Sequence, residues 1–447
     1  MASLTSGSSI NSSTGLGQGI DVNQFVQLAL AADNARITQF QSQQTTLGSQ
    51  AKALAQITGD LTALQSAAFA LNDPLGTLNG QTATSSNATA LSATASSTAT
   101  PAVHTITVSS LATTSSQYTN ALATSSTTVG AGSFQIQVGS GAPATIAVSS
   151  SNNTLDGIAA AINNQSVGVL ASVITDANGA RLSVVSQTTG APGDVTISGN
   201  TTGLTFTKAV TGSNASLIVD AVPISTTSNV VSGVINGVTL NLTSAAPTTP
   251  VTVTVTPDAT KATAAVNTFV TAYNTAIKDI STQFQVNPDG SGGGALEADG
   301  SLREAQSALL GAVSYSIPGN NGFVNLSSIG VNLANDGTLS VDQSKLSSAL
   351  ASNSSSVQSL FQTTTTGFAG HLSTVLTSLV DPTSGVLGLD TLGVAQTAQS
   401  LGQKISDLQA ALIVKQQNLN LVYSRVNTTL QSLPLLQSQL AQQLATA

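Results

Sequence analysis

His104 and His371 are the only two histidines, and serine is abundant, so a Ser-His-Asp triad is the first chemistry to test. Such a nucleophile sits on a strained elbow, typically Gly-x-Ser-x-Gly after a strand, and no strand-like run here is followed by one. The two histidines also lie in unrelated segments, so no catalytic residue is expected. Asp289, Asp299 and Asp336 stand in Gly-rich turns that superficially suggest Ca²⁺ loops. None brings several carboxylates together at EF-hand spacing, and turn formation accounts for them. Gly15, Gly17, Gly19 and the run 292–294 make no dinucleotide or phosphate loop after a strand and read as linker. No cofactor and no metal are expected.

What remains is the chemistry of apolar association. From Leu401, steps of alternating four and three residues meet Ile405, Leu408, Leu412, Lys415, Leu419, Val422, Val426, Thr429, Leu433, Leu436, Leu440 and Gln443 beside Leu444. This heptad seam has three polar interruptions and predicts a helix roughly 60 to 70 Å long whose stripe another helix must cover. The heptad does not say whose helix that is: the chain's own or a second subunit's. Tyr423 and Arg425 fall on its flank as amphipathic surface contacts.

The 447 residues have room for two to four domains. Only 7 % are charged, against about 25 % in an ordinary soluble protein. With net charge -8 and no basic cluster, nucleic acid is excluded as a partner. There is no cysteine, so disulfides and thiolate metal sites are excluded. No Lys or Arg precedes Arg36, and no apolar run reaches about 18 residues, so neither a cleavable signal peptide nor membrane insertion is expected.

Taken in order, residues 1–19 are Ser, Gly and Thr without period and read as a mobile tail. Asp21 and Gln24 form a capping box, with Ile20 and Phe25 as a hydrophobic staple. A first apolar stripe runs through Val22, Phe25, Val26, Leu28 and Leu30. Asp33-Asn34 then offers a second N-cap or a hinge before a second stripe from Ile37 to Leu71, ended by Asn72-Asp73-Pro74. From about 79 to 260 the period is two, with strands expected at 104–108, 134–138, 145–148, 170–175, 181–185, 195–198, 217–219, 237–242 and 251–256. Asn178-Gly179 signals a type I′ hairpin, and one helix interrupts at Thr154 to Asn163. Helical spacing returns at Ala262, followed by a flexible loop at 287–294, a helix at Ser301 to Val313, a hairpin turning at Asp336-Gly337 and a helix through Leu346 to Phe361. Loops around Gly367 and Asp381-Pro382 lead into the seam, where Pro434 predicts a kink or break near Ser432 to Leu433.

The expected fold class is therefore α+β, multidomain and discontinuous: terminal coiled-coil-like helices, a helical middle domain, and an inserted pair of antiparallel β-rich domains. The boundaries are 1–40 with 395–447, 41–78 with 262–394, 79–125 with 213–261, and 126–212 for the inner β-rich domain with its helix.

Several stretches, in order along the whole chain, resemble the flagellar filament cap protein family, also called flagellar hook-associated protein 2. They are GQGIDVNQFVQL (Gly17 to Leu28), HTITVSSLA (His104 to Ala112), the segment Thr154 to Gly190, NVVSGVINGVTL (Asn229 to Leu240), FVTAYNTAI (Phe269 to Ile277) and Gly330 to Phe361. The segment Thr154 to Gly190 is similar to a repeat inside flagellins and cap proteins, and Asn229 to Leu240 to the family's return strand. The resemblance implies an extracellular homo-oligomeric ring at the flagellar tip, often a pentamer in the family, that helps exported flagellin fold and insert. It also implies hook-filament junction proteins and an export chaperone as partners, and type III export without a leader. Its assembly interface would include Val22, Phe25, Leu28, Leu412, Leu419, Val422, Val426, Leu433, Leu436, Leu440 and Leu444.

One departure from the family is the sparsely charged C-terminal helix, with only Lys404, Asp407, Lys415 and Arg425 between Leu401 and Leu444. Register is therefore expected to rest on apolar shape and Gln/Asn contacts. The competing readings are an adhesin that uses the exposed β-rich insertion in cell adhesion, and another axial protein such as flagellin or a hook-filament junction protein.

Overall fold

The computed structural model describes residues 21–285, 293–317, 319–364 and 366–445. Helix α1 (Val22–Asn72) leads into strands β1 (Gln81–Ser85), β2 (Leu91–Ala95), β3 (Ala102–Ser110) and β4 (Thr114–Thr119). Then come β5 (Gly132–Val138), β6 (Ala144–Val148), α2 (Leu155–Asn164), β7 (Val169–Asp176), β8 (Gly179–Thr189), β9 (Val195–Ser198) and β10 (Phe206–Val210). The chain returns through β11 (Ala215–Val219), β12 (Val222–Thr226), β13 (Val230–Ile235), β14 (Val238–Leu242) and β15 (Val251–Pro257). It finishes with α3 (Ala259–Gln283), α4 (Gly300–Val313), the hairpin β16 (Val331–Leu333) and β17 (Leu339–Val341), α5 (Gln343–Gln362), α6 (Phe368–Val380) and α7 (Val386–Ala445). The fold class is α+β, with every sheet pairing antiparallel.

The few carboxylates are spent mainly on ends and turns. Asp21, Asp258, Asp299 and Asp342 each cap a helix by accepting backbone N–H groups of its first turn, and Thr154 does the same for α2. Asp381 accepts from the amides and hydroxyls of Thr383 and Ser384 in the turn before α7. Those four bonds hold its carboxyl down at about 2.

Four apolar clusters organise the chain. The largest unites α1 from Leu54 to Leu71 with α3, α4, α5, α6 and Leu387. In it Phe368 meets Phe269 and Phe361 edge to face, at 5.6 and 5.8 Å between centroids. The FVTAYNTAI stretch now has a physical role: the Tyr273 hydroxyl donates to the Gly337 carbonyl, and the Asn274 amide exchanges two hydrogen bonds with the Leu339 backbone. Helix α3 thus grips the edge of the β16–β17 hairpin. A second cluster lies between the sheets β1-β15-β3-β11-β12 and β13-β14-β2. A third joins β10-β4-β8-β7, β6-β5-β9 and α2. The fourth is small, with Ile37, Leu401 and Ile405 buried where α1 and α7 cross.

Several expectations are corrected. Asp33-Asn34 is neither cap nor hinge, because α1 runs unbroken for 51 residues. Ile20, the 1–19 tail, Gly15, Gly17, Gly19, Asp289 and most of the 287–294 loop lie outside the described residues. Asn178-Gly179 does not form the type I′ turn: β7 and β8 join through Ala177-Asn178, and Asp176 pairs with Gly179. Gly179 is required instead by close approach, since a Cβ there would meet the Leu122 carbonyl oxygen at 2.2 Å. The turn with two left-handed residues, φ 49° and 69°, is Asp220-Ala221 between β11 and β12. Asn229 to Leu240 holds most of a hairpin, β13–β14, not one strand. Strand β4, expected in the outer β-rich domain, hydrogen-bonds to β8 and β10 of the inner sheet, and the chain crosses at the Thr113–Ser213 bridge.

Between Gly367 and Asp381-Pro382, where loops were expected, the chain also forms α6, a helix not anticipated, whose Phe368, Ala369, Leu372, Leu376 and Leu379 keep helical spacing. Nor does Pro434 break the last helix: α7 continues through it for 60 residues, starting well before Leu401. A Pro costs a helix one backbone bond and a local clash, and on an exposed stretch the flanking turns absorb both.

Candidate assembly interface

Neither histidine meets a nucleophile and base in the order that catalysis needs. His104 Nδ1 lies 2.7 Å from Asp220 Oδ2, and Asp220 also accepts from the Thr105 amide. The ring beside it, and then that amide, hold the Asp220 carboxyl below its usual range. The pair fastens the β11–β12 turn to β3. His371 stacks on Tyr315, with centroids 4.0 Å apart and planes 15° from parallel. Asp299 and Asp336 serve a cap and a turn. Among the described residues no three His, Asp or Glu side chains gather where they could hold a metal ion. No helix among them is long and apolar enough to cross a membrane.

The site built with most of the chain's length is the pair α1–α7. The helices run antiparallel: the Lys415 Nζ is 2.6 Å from Asp33 Oδ2, and Phe25 lies ring to ring with Tyr423 at 5.9 Å. Both contacts imply the same register, in which one step along α1 is one step back along α7. Near the helical body the pair has a core, with Ile37, Leu401 and Ile405 buried and Phe40, Leu47, Leu408 and Leu412 packed on them. Beside that core Phe40, Leu47, Leu401 and Lys404 help line a groove of about 650 Å³.

Farther out the apolar seam faces water. Of the expected interface residues, Val22, Leu412 and Leu419 are half-buried and Phe25 and Leu28 are exposed. Val422 is 53 % exposed, Leu440 60 % and Leu444 73 %, and Val426, Leu433 and Leu436 are exposed with them. The structure thus brings Phe25 and Leu412 into the α1–α7 contact and leaves Leu433 to Leu444 presented along one bare helix. Sequence reasoning underrated Val26 and Leu30, which are buried, and Tyr423, which packs against Phe25 instead of merely flanking the seam. It also missed the Asp33–Lys415 ion pair, a charged contact beside the apolar and Gln/Asn contacts expected. The signal was present: Lys415 is the one charged residue in the seam.

A discontinuous α+β chain whose longest helix carries an exposed heptad seam is an assembly protein of the helical-termini class. Residues 18–115 match the N-terminal part, and residues 212–434 the C-terminal part, of flagellar hook-associated protein 2. The B-type flagellar hook-associated protein 2 of Pseudomonas aeruginosa is 31 % identical over 433 residues, 89 % of each chain. The flagellar hook-associated protein 2 of Escherichia coli K12 is 31 % identical over 87 % of this chain and 88 % of its own. Among solved structures, the D1-D2-D3 domains of the Escherichia coli flagellar cap protein FliD superpose with TM-score 0.60 at 30 % identity, covering 77 % of this chain and 99 % of that one. The chain belongs to the flagellar hook-associated protein 2 family, the flagellar filament cap proteins.

Proposed function

We infer that several copies of this chain form a ring at the distal, extracellular tip of the flagellar filament, where it promotes folding and insertion of exported flagellin. The role is structural, without a catalytic step. The observation that carries it is the apolar seam from Val422 to Leu444, exposed at the far end of the α1–α7 pair. A helix with so much apolar surface in water gains order by burying it against neighbours. Flagellin and the hook-filament junction proteins are the partners this reading assigns, after chaperone-assisted export through the type III route.

In this reading residues 21–40 and 395–445 form the docking leg, and α1 beyond residue 40 with α3 to α6 forms the body that closes the ring. The two β-rich units form the outer plate, divided near Thr113 and Ser213 as β4 suggests. The test is deletion of residues 401–447 in a strain lacking the native gene. Loss of capped filaments with the β-rich units still folded is expected, and normal filaments would refute the reading. Mass measurement of the soluble protein with and without that segment shows whether the ring needs it.

A further inference from the structure

We propose that Asn163 guards the free edge of β7: its side-chain amide stands where a further strand would pair, and so keeps the β7 edges of separate copies from joining into one sheet. Strand β7 ends the sheet β10-β4-β8-β7 and is bonded to β8 alone. In an antiparallel ladder every second residue turns its N–H and C=O away from the partner strand. Ala171 is one of these, because both its backbone groups go to Asn163. The Ala171 N–H donates to Asn163 Oδ1 at 2.8 Å, and Asn163 Nδ2 donates to the Ala171 carbonyl at 2.8 Å. Val169, Val173 and Thr175 turn the same way by alternation, and among the described residues Val173 and Thr175 meet no partner there. The amide near the end of α2 thus makes the two bonds that a facing residue of another strand would make.

Other edges of these sheets are blunted in other ways. Strand β12 carries Pro223, β10 carries Lys208 and a shift of register, and β13 shifts register between Ser232 and Ile235. Proline, lysine and bulges all discourage a further strand from pairing. Strand β7 has none of them. At eight residues it is the longest edge strand among the described residues, and it pairs with β8 in one unbroken register. Its run VLASVIT is uncharged, and Leu170 and Ile174 are 55 % and 57 % exposed. A second copy of β7 laid antiparallel about Ser172 would set Leu170 against Ile174 and Ala171 against Val173, with no like charges opposed. Asn163 occupies the middle of that pairing.

A ring of copies would raise the local concentration of these edges, but the guard acts in the free chain as well and does not depend on the proposed function. The chain has no cysteine, so an engineered one reports edge pairing in the full-length protein. In a β7–β7 pair the two Ser172 residues face each other at a non-hydrogen-bonded position, close enough for a disulfide. Ser172→Cys alone, dilute and oxidised, should give little disulfide-linked dimer. Adding Asn163→Ala should raise the dimer about tenfold or more. Thr175→Pro in that background removes an edgeward N–H without touching the ladder to β8, and should return the dimer to its base level. Asn163→Asp in place of Asn163→Ala keeps a side chain at the edge and adds a charge, and should leave the dimer low.

Asn152→Ala is the control for mere loosening, since it removes hydrogen bonds to Ser149 and Ala147 in the β6–α2 loop of the same unit and should leave the dimer at base level. A yield unchanged by Asn163→Ala, or raised as much by Asn152→Ala or Asn163→Asp, would overturn the proposal. So would a dimer that survives Thr175→Pro. Hydrogen exchange of the unaltered chain at high dilution tests the guard even where a variant fails to fold. The Ala171 amide should exchange about tenfold or more slowly than the edgeward amides of Val173 and Thr175. Equal rates would overturn the proposal, because Asn163 would then close the edge at Ala171 no better than it is closed elsewhere.

Discussion

Phe25 and Tyr423 face each other across the terminal helices, centroids 5.9 Å apart and planes 34° from parallel. Helix α1 starts three residues before Phe25, whereas α7 continues to Ala445. This one contact therefore divides the α7 seam into a part the chain covers for itself and a part it presents.

The division predicts opposite phenotypes for the same residue type. Leu440→Asp, on the presented part, should change unfolding free energy by no more than about 0.5 kcal/mol while abolishing oligomer formation in analytical ultracentrifugation. Leu64→Ala, at 0 % exposure in the helical body, should cost about 2 to 5 kcal/mol in urea unfolding.

The grip of α3 on the β16–β17 hairpin can be measured piecewise. Tyr273→Phe removes only the hydroxyl bond to the Gly337 carbonyl and should cost about 0.5 to 1.5 kcal/mol. Asn274→Ala leaves both the amide and the carbonyl of Leu339 without their partner and should cost more, about 1 to 3 kcal/mol. Circular dichroism during denaturation reads both.

Asp390, near the start of α7, is pushed up to about 6 by burial and then by the neighbouring Asp299 carboxyl. The folded chain therefore binds a proton there that the unfolded chain has already released, across the window from about pH 4 to pH 6. Its contribution to stability is largest below that window and falls as pH rises through it. Asp390→Asn should flatten the decline of Tm between pH 4 and 6 and raise Tm at pH 7, read by calorimetry.

Ala221 sits at φ 69° in the β11–β12 turn, a conformation that glycine adopts without steric cost. Ala221→Gly should stabilise the outer β-rich unit by about 0.5 kcal/mol, after the added freedom of the unfolded chain is deducted. Ala221→Val should destabilise it, and differential thermal unfolding of the two variants checks the sign.

Periodicity alone made the plan of this chain legible. Alternation placed strands at 104–108, 134–138 and 251–256, and the heptad steps from Leu401 located the long helix, because side-chain period follows directly from backbone geometry. Capping residues such as Thr154 were equally readable, since their chemistry is local. Turns were less so: Asn178-Gly179 has the strongest hairpin signal, yet the left-handed pair is Asp220-Ala221, where the His104 and Thr105 bonds to Asp220 help hold the strained backbone. The sequence by itself determined that a long apolar helical seam exists. Only the tertiary structure decided where that seam is covered. Coverage depends on which helix reaches how far along which other, and a repeat of seven read in sequence does not say which helix lies opposite. That alignment is set where α1 and α7 share a buried core, with Leu54 to Leu71 beside Leu387 and Ile37 beside Leu401 and Ile405, a relation that no local pattern contains.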